Sequence, residues 1–238
     1  MIHFHKNPKL GFSLVELSIV LIIIGLLVAG VSSGSQLIRA AKLNKLIKKV
    51  TSIKSNNITF YLIYDEYPGD FSKATTFWGT YNSSSNPLGA INGNGDGTQN
   101  GSNGWRSEAL AVWHHLELAE LIDGSYSRAR INQSSGGLIA GTDIPIFSYN
   151  SIAPHYISGQ LILGTERSGD RSVNPALTTK DAYFIDRKID DGIQNSGDIR
   201  GSASHYGSWT NRCDASDATK YDLALTAIAR NLTIWNTL

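Results

Sequence analysis

Apolar and polar positions divide this chain into an apolar beginning and a long polar remainder. From Phe12 to Val31 the 20 residues include only Ser13, Glu16 and Ser18 as strongly polar members. Rising about 1.5 Å per residue, a helix of that length covers roughly 30 Å, the hydrocarbon thickness of a bilayer. Leu17, Ile19, Val20, Leu21, Ile22 and Ile23 begin an apolar surface that runs around the whole helix. Such a surface suits lipid or the centre of a bundle, not the face of a soluble domain.

Ser32-Ser33-Gly34-Ser35 follows, a weak helix-forming stretch that reads either as a soft spot in a longer helix or as a simple interfacial segment. Beyond it Leu43, Leu46, Ile47, Val50, Ile53, Asn57, Tyr61 and Tyr64 recur at helical spacing. They predict an amphipathic helix ended by Pro68-Gly69, with its apolar stripe packed on a sheet. Residues 70–105 are rich in turn formers. Ser107 to Ile122 reads as a second helix, with Ala109, Val112, Trp113, Leu116 and Ala119 inward and Gly124 as its stop. Short β-branched and aromatic runs at Ile144–Tyr149, Gln160–Gly164, Ala182–Ile185 and Leu223–Ala229 predict antiparallel strands. The expected fold class is α+β: a long N-terminal helix, membrane-spanning in its first half and amphipathic in its second, packed on a small antiparallel sheet with a loop-rich C-terminal domain.

Composition narrows the chemistry. Cys213 is the only cysteine, which rules out an intrachain disulfide, a zinc cluster of cysteines and a CxxC redox pair. It reads as a small buried apolar residue. Residues 1–11 hold Lys6 and Lys9 and no acid; without them 19 basic side chains face 20 acidic ones. Bulk charge therefore gives no nucleic-acid signal. One local imbalance stands out: Arg39, Lys42, Lys45, Lys48, Lys49 and Lys54 follow the apolar segment with no acid between them. The positive-inside rule would place that flank in the cytoplasm, although long domains translocate largely regardless of charge. The run suits a solvated helix face, anionic headgroups or acidic loops of a neighbouring subunit.

A carboxylate at Glu16, inside an apolar span, is costly and marks a functional site. A secretory signal peptide, with Lys6 and Lys9 as its basic start and Val28-Ala29-Gly30 as its cleavage site, is opposed by that carboxylate and by a helical pattern that continues past Gly30. An ordinary single-span anchor leaves Glu16 without a purpose. The run Gly11-Phe12-Ser13-Leu14-Val15-Glu16 and its apolar continuation resemble the type IV prepilin signature. In that family a short basic leader ends in Gly, and a dedicated peptidase cuts after it on the cytoplasmic face. The new N-terminal residue, usually Phe, is N-methylated, and a Glu lies four residues further on. Gly11, Phe12 and Glu16 match position by position.

The resemblance implies leader cleavage between Gly11 and Phe12, methylation of Phe12, and an assembly role for Glu16, whose carboxylate would meet the Phe12 amine of a neighbouring subunit. It implies a cleaved leader (1–11), a transmembrane and assembly helix (12–35) and an extracytoplasmic pilin-like globular domain (36–238). The implied function is a structural subunit of a type IV pilus or a type II secretion pseudopilus, with a minor pilin acting as a tip or binding module as the alternative. The implied partners are the prepilin peptidase/methyltransferase, other pilin or pseudopilin subunits, the inner-membrane assembly platform and membrane lipid. The implied location is the bacterial inner membrane, single-pass with the C-terminal domain outside, and then an envelope or surface filament. A looser likeness to a group of large pilin-like proteins runs from Tyr67-Pro68-Gly69-Asp70 through Trp113-His114-His115-Leu116 to Leu121-Ile122-Asp123-Gly124-Ser125-Tyr126.

No catalytic set emerges, and the chain does not read as an enzyme. Gly30-Val31-Ser32-Ser33-Gly34 fits GxSxG but ends an apolar helix instead of forming a strand-to-helix elbow. His114 and His115 are adjacent, so on a helix they point in different directions. Calcium is the one candidate cofactor. Asn92, Asn94 and Asp96 place oxygens at alternate positions before a glycine, but the twelfth position of such a loop would be Asn103 in place of the bidentate Glu, and Glu108 comes late. A flexible turn is the other reading. Asp186, Asp190 and Asp191 crowd three carboxylates into six residues, which calls for a cation or for neutralisation by Arg187 and Lys188.

Overall fold

The computed structural model describes residues 11, 13–99, 107–128, 139–157, 160–166, 173–174, 176–202, 220–221, 223 and 228–235. The chain separates into two compact units, residues 1–42 and 43–238. Helix α1 runs from Leu14 to Tyr64 and contributes to both.

In the first unit every described residue of the apolar segment is exposed, from Leu14 through Val31. An 18-residue window here has a mean hydropathy of 2.8 and none of it is buried. That excludes the core helix of a soluble domain, because a core helix of this hydropathy would be covered. The hydroxyls inside the apolar surface are satisfied by their own helix: Ser18 Oγ donates to the Val15 carbonyl and Ser35 Oγ to that of Ser32, both at 2.8 Å. The second of these back-bonds lies within the expected soft spot, and α1 passes through Ser32–Ser35 as continuous helix.

In the second unit α1 buries Leu43, Leu46, Val50, Ile53, Asn57 and Phe60. These alternate by three and four residues, the spacing that keeps one stripe of a helix against one surface. The stripe ends on Phe60, not on Tyr61, and Tyr64 is half-buried. The helix stops four residues before Pro68, where Asp65 turns to φ 59°.

The fold is α+β, with six short antiparallel strands among the described residues: β1 (Ala153–Ile157), β2 (Gln160–Glu166), β3 (Val173–Asn174), β4 (Leu177–Thr178), β5 (Ile199–Ser202) and β6 (Ile228–Trp235). The order is β1-β2-β6-β4, with β3 beside β2 and β5 also paired to β6. The last strand therefore ties together β2, β4 and β5. One core joins the α1 stripe to Tyr156, Leu161 and Leu163 of the sheet and to Leu110, Val112, Trp113 and Leu116 of helix α3 (Ser107–Leu118). Asn57 belongs to that core because its amide donates to Tyr156 Oη at 2.8 Å and its oxygen accepts from Gln99 Nε2 at 3.1 Å.

Several sequence expectations are corrected. Helix α3 ends at Leu118, not at Ile122 before Gly124: the Glu120 N–H bonds the Glu117 carbonyl and the Leu121 N–H that of Leu116, with Glu120 at φ 57°. This is a Schellman ending in which a glutamate takes the left-handed position usually held by glycine. Ala182–Ile185 is helix, inside α4 (Thr179–Ile189), rather than strand. Thr178 Oγ1 caps it by accepting the Asp181 N–H at 3.2 Å. Ile144–Tyr149 makes only an isolated bridge at Ile144. Pro145 offers no donor, and consecutive positive φ values at Asn150 and Ser151 turn the chain before β1 begins. Leu223 is a turn residue, and β6 starts five residues later. Between Trp78 and Ala90 the turn-rich region is stapled by small bridges, after the five-residue helix α2 (Ala74–Trp78).

Candidate functional site

The start of α1 concentrates the predicted site residues. Ser13 begins the helix: its Oγ accepts the Val15 N–H at 3.3 Å, and Glu16 Oε2 reaches back to the Ser13 N–H at 2.9 Å. The Glu16 half is that of a Ser-x-x-Glu capping box, while the Ser13 hydroxyl takes the Val15 amide one residue earlier; together they satisfy amides that the first helical turn leaves without partners. The carboxylate also lies at the positive end of the helix dipole. Glu16 thus has a local partner within one subunit, a role readable from Ser13-Leu14-Val15-Glu16 but overlooked when the carboxylate is considered only as half of an intersubunit pair.

Gly11 is exposed, and a Cβ built on it would meet nothing within 4 Å. Its backbone does not need the left-handed region either. Among the described residues nothing explains a glycine here. Phe12 and residues 1–10 lie outside the described residues.

The two acidic stretches are organised differently from each other. Asp70, which is not among the expected ligands, is the hub of the first. Its Oδ1 accepts the Gly95 and Asp96 N–H groups at 2.7 and 3.1 Å, and its Oδ2 accepts that of Gly97 at 2.8 Å. Glu108 Oε1 accepts the Asn94 N–H at 3.1 Å, and Asn94 Nδ2 donates to Asp96 Oδ2 at 3.0 Å. Asp70, Asp96 and Glu108 therefore bring carboxylate oxygens within 4.8 Å of one another. Asn92 turns away, its Oδ1 accepting the Thr75 N–H at 2.8 Å. The close wrapping depends on Gly93, where a Cβ would lie 2.2 Å from the Asp70 carbonyl carbon. Burial raises the Asp70 carboxyl above its ordinary range, against the pull of three backbone N–H donors. Hydrogen bonds from Thr98 hold the Asp96 carboxyl below it.

In the second stretch Asp186, Asp190 and Asp191 also share a 4.8 Å neighbourhood. Asp186 is buried and accepts from Tyr221 Oη at 2.6 Å and from the Gly192 N–H at 3.1 Å. Asp190 Oδ2 accepts the Ile199 N–H and Asp191 Oδ1 that of Ile193. Burial pushes the Asp186 carboxyl up to about 6, outweighing the Tyr221 and Gly192 hydrogen bonds, and the neighbouring carboxylates add to the rise. Arg187 lies 6.0 Å over the Tyr183 ring and donates to its hydroxyl. In both stretches the carboxylates anchor backbone N–H groups of a loop. A calcium ion would have to use the oxygen lone pairs that those donors leave open.

The histidines of α3 are packing groups. His115 Nδ1 accepts the Gly69 N–H at 2.8 Å and its Nε2 faces the Ile91 carbonyl at 2.8 Å, which assigns a neutral ring protonated on Nε2. The ring stacks on Phe60 at 6.1 Å. Gly69 adopts φ 92°, and a Cβ there would sit 2.6 Å from the Glu108 carbonyl. Burial lowers His115 to about 4, His114 to about 3 and His155 to about 4. The Tyr67–Asp70 and Trp113–Leu116 segments, far apart in sequence, thus form one packed unit. Cys213 and His205 lie outside the described residues.

Residues 6–32 match the family model for the prokaryotic N-terminal methylation motif, the prepilin-type motif of type IV pilins and pseudopilins. No curated protein and no solved structure is significantly similar to the chain.

Proposed function

We propose that this chain is a structural subunit of a type IV pilus or a type II secretion pseudopilus. Prepilin peptidase cuts between Gly11 and Phe12, the new Phe12 amine is methylated, and residues 12–35 hold the protein in the inner membrane until it polymerises. The globular domain is extracytoplasmic. The observation that carries this reading is the methylation motif over residues 6–32, continued by an apolar helix with no buried residue in its span. Gly11 supports it from the other direction: a glycine that none of the described residues calls for is one that a processing enzyme can require.

Glu16 then has two successive partners. In the single subunit its carboxylate closes the capping box on Ser13. During assembly it meets the amine of a neighbour's Phe12, so that two charges costly in lipid compensate each other and fix the axial stagger of the helices. The exchange replaces a neutral donor by a charged one, which strengthens the hydrogen bond.

Mass spectrometry of the mature N-terminus tests the reading. A start at N-methylated Phe12 is the expected result, and a start near Val31 or an intact Met1 would overturn it. Glu16→Ala separates processing from assembly: the variant is cleaved normally but forms few or no filaments, and normal filaments from it would remove the pairing role.

A further inference from the structure

The basic flank of α1 has no counterpart in the core it helps to build. Between residues 36 and 64 the chain carries six basic side chains and no acid, whereas residues 65–238 carry thirteen basic and nineteen acidic ones. Lys54 is neutralised within the subunit by Asp198 at 3.2 Å. Lys45, Lys48 and Lys49 are exposed, and among the described residues no carboxylate pairs with them. Asp65, Asp96, Glu120, Asp123 and Asp191 are exposed on the same unit.

Three lysines within five residues repel one another, and their mutual repulsion falls when an opposite charge approaches. A lipid surface is the poorer occupant. Helices that rest on membranes bury an apolar face in the headgroup layer, and here that face, Leu43, Leu46, Val50 and Ile53, is already committed to the subunit's own core. The acidic surface of a second copy offers the complementary charge without asking for that face.

From this charge separation we infer that Lys45, Lys48 and Lys49 dock on the acidic surface of the globular unit of a neighbouring copy. The contact rests on the filament-subunit reading above and gives it a geometry. A lysine patch cannot face its own symmetry mate, because like charges would meet. The contact sets the lysine patch against a different, acidic patch; repeated head to tail without closing, such a contact propagates into an open helical filament.

The test uses the mature full-length chain in neutral detergent. Self-association by sedimentation is compared at about 50 mM and 500 mM salt, where the Debye length shrinks from over 10 Å to under 5 Å. Carbodiimide cross-linking of a mixture of isotopically light and heavy copies identifies which lysines meet which acids across copies. Wild type should associate less at high salt, and should cross-link Lys45, Lys48 or Lys49 to acids within residues 65–238 of the other copy. Combined Lys→Glu changes at 45, 48 and 49 should weaken association by roughly tenfold or more, and Lys→Gln changes by less. Near-UV circular dichroism checks the fold of each variant, and if the Glu variant misfolds, the Gln variant and the wild-type cross-links decide the outcome. Association that ignores both salt and these changes, with no such cross-links, overturns the inference. So does loss of adsorption to phosphatidylglycerol vesicles with self-association intact, which would assign the lysines to lipid. If mature wild type begins at Phe12 and assembles while the variants assemble equally well, only this inference fails; a mature chain that does not begin at Phe12 sinks the filament reading itself.

Discussion

Between Leu14 and Val31 helix α1 exposes every residue, whereas between Leu43 and Phe60 it buries one residue every three or four. The backbone is helical throughout, so the contrast lies in the side chains. In the first stretch apolar groups cover all sides, and Gly25 and Gly30 have open space around them. Among the described residues nothing packs on them; on the proposed reading, lipid and neighbouring helices select them. In the second stretch the subunit's own core makes the selection, down to a buried Asn57 with specific partners. Polar groups follow the same division. Ser18 bonds within its own helix alone, while Asn57, besides its bond to the Ile53 carbonyl of its own helix, reaches Tyr156 and Gln99 from distant parts of the chain.

Acid should separate the two stretches most strongly. His114, His115 and His155 are held neutral, so protonating them favours the unfolded chain. Their contribution is complete above the ordinary histidine value of 6.5 and is lost as pH falls towards 3–4. Asp186 opposes this: its raised pKa destabilises the folded state as pH climbs from the ordinary carboxyl range through about 6, so acidification relieves it. The three histidines outweigh Asp186 together with Asp70, whose carboxyl burial also raises, and the net loss by pH 4 is on the order of 5 kcal/mol. In detergent, near-UV circular dichroism should report loss of the globular core at pH 4 while the helical signal of the apolar segment persists. An unchanged near-UV spectrum at pH 4 would mean that these rings are not buried neutral.

Truncation extends the contrast. Phe60→Ala removes a fully buried ring and should cost about 3–5 kcal/mol in denaturant unfolding of the core, whereas Leu21→Ala should change that core by less than about 0.5 kcal/mol. Equal effects would show that the first stretch is packed within the subunit after all. Smaller again is the polar pair. Asn57→Ala removes an acceptor from Gln99, which keeps its 2.8 Å bond to the Pro68 carbonyl, and a donor to Tyr156, for a loss of about 1–3 kcal/mol, while Ser18→Ala should lie near zero because its hydroxyl serves only its own turn. A stability loss from Ser18→Ala as large as that from Asn57→Ala would contradict this division.

Elements with a long, unambiguous period are legible in the sequence: α1, the body of α3 and strand β2. Ala182–Ile185 is not, because four residues rich in aromatic and β-branched side chains fit either period. The deciding groups are Thr178 and Asp181, whose cap starts the helix, and Ile185, three positions after Ala182, which completes its buried face. The ending of α3 escapes a sequence reading because Glu120 adopts a conformation usually ceded to glycine. Of the acidic residues, Asp96 is visible through its Asn-Gly-Asn-Gly-Asp spacing. Asp70 is not, since its partners lie 25 to 27 positions away.

The amino-acid order alone carries the Gly11-Phe12-Glu16 motif and the apolar segment behind it. A processing enzyme reads a short linear stretch, and lipid reads hydropathy averaged over a helix, so neither needs a folded neighbour to be intelligible. The meeting of Asp70 with Asp96 and Glu108, the stacking of His115 on Phe60, and the bonding of Asn57 to Tyr156 and Gln99 belong to the three-dimensional packing. Each joins residues from separate segments, and their closeness comes from core formation rather than from any local preference. The exposure of Lys45, Lys48 and Lys49 belongs there too. Their charge is plain in the sequence, but only burial of the opposite face of α1 shows what they have left to meet.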